Sequence, residues 1–225
     1  MVTVDMKSSH NDWSRLERIR SVPLLLVSPH GDDAWLSCSA ILQRVDPVHV
    51  LTVFAGLPEP EQMTDWDLAC GFVNSTEATT ARREEQRNAF SDTPHRVELM
   101  NLLEGQYLQG PRPVKEAEHV ALVARDWLRT RPTGIVMGPA GAGANGRVGK
   151  ALSRARRRPQ TPPHPDHLMV RDTLARSVPP RSLVLYEEFP HRRGGRADGA
   201  AKRVAAKRGE FFAHVDLAVD RRRKA

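Results

Sequence analysis

The chain has little cysteine, few aromatics and no long hydrophobic run. Cys38 and Cys70 are the only two thiols in 225 residues. Two cysteines cannot staple a chain of this length, which sets aside the disulfide-scaffold class and points to a reducing, cytoplasmic setting. No stretch approaches the roughly 20 apolar residues of a membrane-spanning helix. The longest apolar runs, Val22–Val27 and His49–Ala55, have the length of strands. The opening residues MVTVDMKSSHNDWSR lack the apolar core of a secretory signal. Aromatics make up only 5% and few stand among the basic runs. That argues against a stacking platform for single-stranded nucleic acid.

What is present is ordinary for a globular chain, with 40% hydrophobic and 27% charged residues. One domain over residues 1–225 is expected. The formal net charge is +7 and the pI is near 10.0. Half of the 34 Lys and Arg lie in Arg147–Arg158, Arg192–Arg208 and Arg221–Lys224, and the rest of the chain is acidic. The excess thus belongs to a basic inserted loop (about 144–163), a basic mobile segment (about 191–209) and a tail, outside a core of about 22–190.

Pro23–Ser28 is apolar almost throughout, as a strand buried on both faces is. A turn, Pro29–Asp33, leads into a helix over Ala34–Arg44 with Leu36, Ala40 and Ile41 at helical spacing. A second strand follows at Val48–Ala55, which completes a strand–helix–strand unit in about thirty residues. Residues 56–75 read as a loop, Thr76–Phe90 as a polar helix, Arg96–Leu103 as a third strand and Lys115–Arg129 as an amphipathic helix. Gly134–Gly138 is a fourth strand, Pro139–Pro163 a long loop, Asp166–Ala175 a short helix and Ser182–Phe189 a fifth strand. A short helix around Trp13–Ile19 and a last strand at Phe211–Val219 complete the reading. The expected fold is α/β and Rossmann-like, a mainly parallel sheet with helices on both faces.

Two segments concentrate imidazole and carboxylate groups: His30-Gly31-Asp32-Asp33 and His164-Pro165-Asp166-His167. Each follows an apolar strand, and ligands of parallel sheets bind beyond the carboxyl ends of the strands. Taken singly, His-x-x-Asp after a strand is the ordinary make-up of a helix N-cap. Taken together on one sheet edge, a His, an Asp three residues on and a distant His supply two nitrogens and a carboxylate, the make-up of a catalytic zinc site with an open position. Asp32 and His164 then stand beside it.

At these residues the chain resembles the PIG-L/LmbE-like metal-dependent N-deacetylases. Ser28-Pro29-His30-Gly31-Asp32-Asp33-Ala34 matches that family's first motif, with Gly31 where Pro is usual and Ala34 where Glu is frequent. His164-Pro165-Asp166-His167 matches the second. Asp65-Trp66-Asp67, Arg82-Arg83-Glu84-Glu85, Leu103-Glu104-Gly105-Gln106-Tyr107 and Tyr186-Glu187-Glu188-Phe189-Pro190 look like one bacterial branch, in the family's order, over roughly residues 22–190. The resemblance implies zinc held by His30, Asp33 and His167. It implies Asp32 as general base and His164 as the group that stabilises the oxyanion. Asp166 would orient His164, and Arg82 would contact substrate. The implied reaction releases acetate, or another short acyl group, from an N-acylated aminosugar or related amine, a small molecule, neutral or anionic. A His2Asp set would also accept iron, cobalt or nickel. Two other readings remain open: a metal-dependent hydrolase of another amide or ester, and a basic nucleic-acid-binding or assembly protein with a degenerate site.

Overall fold

The computed structural model describes residues 19–141, 163–189 and 199–208. Five strands form one sheet: β1 (Leu24–Ser28), β2 (Val48–Thr52), β3 (Arg96–Leu99), β4 (Ile135–Pro139) and β5 (Leu183–Tyr186). The order is β3-β2-β1-β4-β5 and every pairing is parallel. The helices are α1 (Asp33–Leu42), α2 (Asp65–Ala69), α3 (Ser75–Phe90), α4 (Val114–Arg129), α5 (Pro165–Ser177) and α6 (Gly199–Arg208).

Alternation along β1 builds two cores. Leu24 and Leu26 face one side with Val48, Val50 and Met137, where Ala34, Cys38 and Ile41 of α1 and Phe90 of α3 cover them. Leu25 and Val27 face the other side with Leu51 and Val136, under Val120, Ala124 and Trp127 of α4 and Val170 and Leu174 of α5. All five β1 residues are buried, which is why the strand reads as a continuous apolar run. The expected α/β sheet with helices on both faces is therefore present, and among the described residues it is wholly parallel.

Some elements differ from the expectation. The loop at 56–75 contains α2, five residues long, which starts where Thr64 Oγ1 accepts the Asp67 N–H at 3.2 Å. One and a half turns leave no periodic signal to read. β2 ends at Thr52, and Phe54 continues as a lone bridge to Asn101. Part of the basic stretch expected to be mobile is helix α6, whose Ala-rich sequence favours helix. Residues 142–162, which hold most of the Gly/Arg/Pro-rich loop, and the expected strand at 211–219 lie outside the described residues. No helix among the described residues is long and apolar enough to cross a membrane.

From β1 the chain moves outward to β2 and β3, then returns across to β4 and β5 on the other side. The direction of winding reverses between β1 and β4, so a crevice opens at their carboxyl ends. α5 closes one wall of it by seating on β4. Gly138 of β4 has no side chain because Leu174 of α5 fills that space; a Cβ there would collide with Leu174 Cδ1. Gly138→Ala is expected to lower unfolding free energy by about 1–3 kcal/mol through overpacking. An unchanged urea midpoint would show that α5 does not seat there.

Candidate metal centre

The turn after β1 is fixed by one hydroxyl. Ser28 Oγ donates to the His30 carbonyl at 2.6 Å and accepts the Ala34 N–H at 3.0 Å. Asp33 Oδ2 accepts the His30 backbone N–H at 3.0 Å, which turns this carboxylate back over the turn. Asp33 is buried while its neighbour Asp32, at the N-cap position of α1, is exposed. Two adjacent carboxylates are thereby sent in different directions, one inward and one to solvent.

The second segment begins α5. His164 is its N-cap, Nδ1 accepting the Asp166 N–H at 3.3 Å, and Pro165 occupies the first turn, where its missing N–H costs nothing. Asp166 and His167 then point inward, both buried.

The two segments meet. Asp33 Oδ2 lies 3.3 Å from His30 Nδ1 and 3.1 Å from His167 Nε2, and the two nitrogens lie 3.3 Å apart. Donors bound to zinc at about 2.0–2.2 Å sit about 3.3–3.6 Å from one another at tetrahedral angles. The triangle formed here is that size to within a few tenths of an ångström. His164 also contributes a nitrogen, within 4.8 Å of those of His30 and His167. The carboxylate contacts make His30, Asp33 and His167 the tighter set and leave His164 at its rim, with 39% of its side chain exposed.

Each imidazole is backed by a further buried carboxylate on its other nitrogen. His30 Nε2 donates to Asp166 Oδ2 at 3.1 Å, and His167 Nδ1 donates to Glu188 Oε1 at 3.1 Å. A proton held on the outer nitrogen leaves the inner lone pair facing the triangle, the usual arrangement behind metal-binding histidines. Burial alone would depress the His30 imidazole, but hydrogen bonds to Asp166 and Asp33 outweigh it and push it up to about 10. His167 is likewise opposed by burial and raised to about 9 by Asp33 and Glu188. Asp33 is disfavoured as an anion by burial, yet His167 and His30 hold it well below the usual carboxylate range. Asp166 is lowered to about 2, where burial is outweighed by His30, the Gly105 N–H and Arg112. The donor set therefore favours positive charge at its middle, which protons or a metal ion can supply.

The structure also places residues that carried no role in the sequence. Glu188 is fully buried beyond β5 and accepts the N–H groups of Ala140 and Gly141 at 3.2 and 2.8 Å. Its motif neighbours pointed to it, but no spacing pairs it with His167. Arg112 binds Asp166 Oδ1 at 2.7 Å. The Asp166 carboxylate, expected to orient His164, stands 4.0 Å from that ring's Nδ1 and instead grips His30; it is the Asp166 backbone that holds His164. Arg82, expected to contact substrate, lies on α3 and bonds Asp67 at 2.5 Å and the Tyr107 hydroxyl at 2.9 Å, with 28% of its side chain exposed. It also reaches Glu104, next to the Gly105 N–H that caps Asp166.

No protein-family model matches the chain. No curated protein matches it either. Solved structures do. A deacetylase–teicoplanin complex from the teicoplanin biosynthesis pathway aligns with a TM-score of 0.55 and 22% identity over 76% of this chain and 71% of that one. A triple mutant of a deacetylase from the teicoplanin pathway gives 0.54 and 23% over 75% and 65%. The A40926 pseudoaglycone deacetylase gives 0.53 and 23% over 76% and 65%. The chain thus spans 65% of the length of two of these three proteins. The α/β fold of this chain is thus one it shares with the teicoplanin and A40926 deacetylases.

Proposed function

We propose that the chain is a zinc-dependent N-deacetylase that releases acetate, or another short acyl group, from an N-acylated aminosugar or a related natural-product amine. The observation that carries this reading is the triangle of His30 Nδ1, Asp33 Oδ2 and His167 Nε2, with edges of 3.1–3.3 Å and a buried carboxylate behind each imidazole. The shared fold with a deacetylase of the teicoplanin biosynthetic pathway and with the A40926 pseudoaglycone deacetylase supports the choice of reaction and substrate class. The His/Asp donor set suits zinc. The thiols Cys38 and Cys70, both free, agree with a reducing cytoplasm.

His30, Asp33 and His167 would hold the metal. When bound, zinc supplies a Lewis acid for the amide oxygen and lowers the pKa of water to about 7. Asp32, exposed and adjacent to Asp33 in the chain, would take the proton of the attacking water on its carboxylate. His164 at the rim donates to the oxygen on which negative charge develops. Asp166 acts on two histidines at once, through its carboxylate on His30 and its backbone N–H on His164. The departing amine takes its proton from Asp32 or His164. Arg82, still partly exposed within its ion pairs, would contact a polar group of the substrate.

Purified protein is expected to carry about one zinc per chain by elemental analysis, and His30→Ala and His167→Ala to carry almost none; unchanged metal in either variant removes that residue from the ligand set. Asp32→Asn should keep its zinc but release acetate from N-acetylated aminosugars about 100-fold more slowly, or worse. Turnover at the wild-type rate would take the general-base role away from it. Glu188→Gln should weaken zinc binding about 10–100-fold in chelator competition. Unchanged affinity would reduce Glu188 to a support for the backbone at Ala140 and Gly141.

A further inference from the structure

Arg112 belongs to no motif and lies far in sequence from both metal-centre segments. It stands between Pro111 and Pro113, just before α4, where proline restricts the backbone on both sides. Its side chain is 14% exposed. Nη2 donates to Asp166 Oδ1 at 2.7 Å, while Nη1 donates to Glu116 Oε2 at 2.6 Å and to the Leu103 carbonyl at 2.9 Å. Its Cζ lies over the Phe54 ring, 4.1 Å from the centroid. Four segments therefore meet at one side chain: the stretch after β2, the stretch after β3, the start of α4 and the start of α5.

The consequence falls on Asp166. Arg112 occupies Oδ1, so Oδ2 is the atom turned to both the Gly105 N–H, at 2.9 Å, and His30 Nε2, at 3.1 Å. By holding the Leu103 carbonyl, Arg112 also steadies the stretch that presents Gly105. That approach is close: a Cβ on Gly105 would come within 2.9 Å of Asp166 Oδ1. A carboxylate so gripped cannot rotate, and the ring it holds cannot turn its Nδ1 away from Asp33. We propose that Arg112 is a positioning residue of the metal centre, which locks the Asp166 carboxylate so that His30 presents Nδ1 for metal binding. Three of its five N–H groups are committed to Asp166, Glu116 and Leu103. Lysine keeps the charge but cannot span three acceptors in one plane. The inference rests on the zinc reading given above.

The test is zinc affinity, measured by competition with a chromophoric chelator, together with the absorption spectrum of the cobalt-substituted protein. Asp166→Asn should lose about 10–100-fold in zinc affinity, and Arg112→Met about tenfold, at the low end of the same range. The double variant should bind within about twofold of Asp166→Asn alone, because Arg112 acts through Asp166. Arg112→Met should also shift the cobalt spectrum, which a loss of packing alone would not do. Glu116→Ala removes a partner of Arg112 that does not touch Asp166 and should stay within about twofold of wild type. If Arg112→Met does not fold, Arg112→Lys carries the same expectations. Wild-type affinity and spectrum in the Arg112 variant, or a full further tenfold loss in the double variant, overturns the assignment. A wild-type chain that binds no zinc overturns the metal reading, and this inference with it, and is told apart because it appears before any substitution is made.

Discussion

Charge compensation in a nearly dry pocket is the constraint on which the rest depends. The side chains of Asp33, Asp166 and Glu188 are 7%, 2% and 0% exposed, and they surround two imidazoles and one guanidinium. Carboxylates taken out of water persist only where partners and hydrogen bonds replace the lost hydration. Here the replacement is shared. Backbone N–H groups of His30, Gly105, Ala140 and Gly141 each serve one of the three carboxyl groups, and the imidazoles serve all of them. The raised affinity of both histidines for protons follows from that crowding. One divalent cation carries the charge of two protons, so a metal could take their place without altering the balance that holds the pocket together.

The parallel sheet makes such a pocket affordable by collecting polar chain ends on one edge. β1 is apolar up to its last residue, Ser28, so its imidazole and carboxylate groups begin at the first turn beyond it. The start of α1 then separates two neighbouring acids, since adjacent helical residues diverge by about 100°. Asp33 turns in and Asp32 turns out. The start of α5 performs the same sorting on two histidines, with His167 inside and His164 at the rim. Inward-facing and outward-facing polar groups are in this way drawn from the same short segments without competing for the same space.

Much of this is legible from the residues. The runs that become β1 and β4 are apolar because helices cover both faces, and the switch between them puts His30 and His167 on a common edge. Their approach, with Asp33, needs only that placement. What the sequence conceals are pairings made by folding alone. Asp166 meets His30 across 136 positions and Glu188 meets His167 across 21, and neither separation has a local signature. Asp166 looks assigned to His164 because the two share a motif, whereas on the first turn of a helix it is the backbone N–H that reaches the cap. Arg112 belongs to no sequence motif; its meaning lies in four segments that only the sheet brings together. α2 escapes notice because five residues are too few for a period.

The triangle joins parts of the chain that are far apart in sequence: His30 and His167 are separated by 137 residues. An ion that grips both is released when the two segments separate, so its binding would favour the folded chain by mass action. A bound ion would then serve the fold as a reversible staple, placed in a chain whose two thiols form no bridge. The availability of metal would govern not only what the crevice can do, but how long the chain resists heat and proteases.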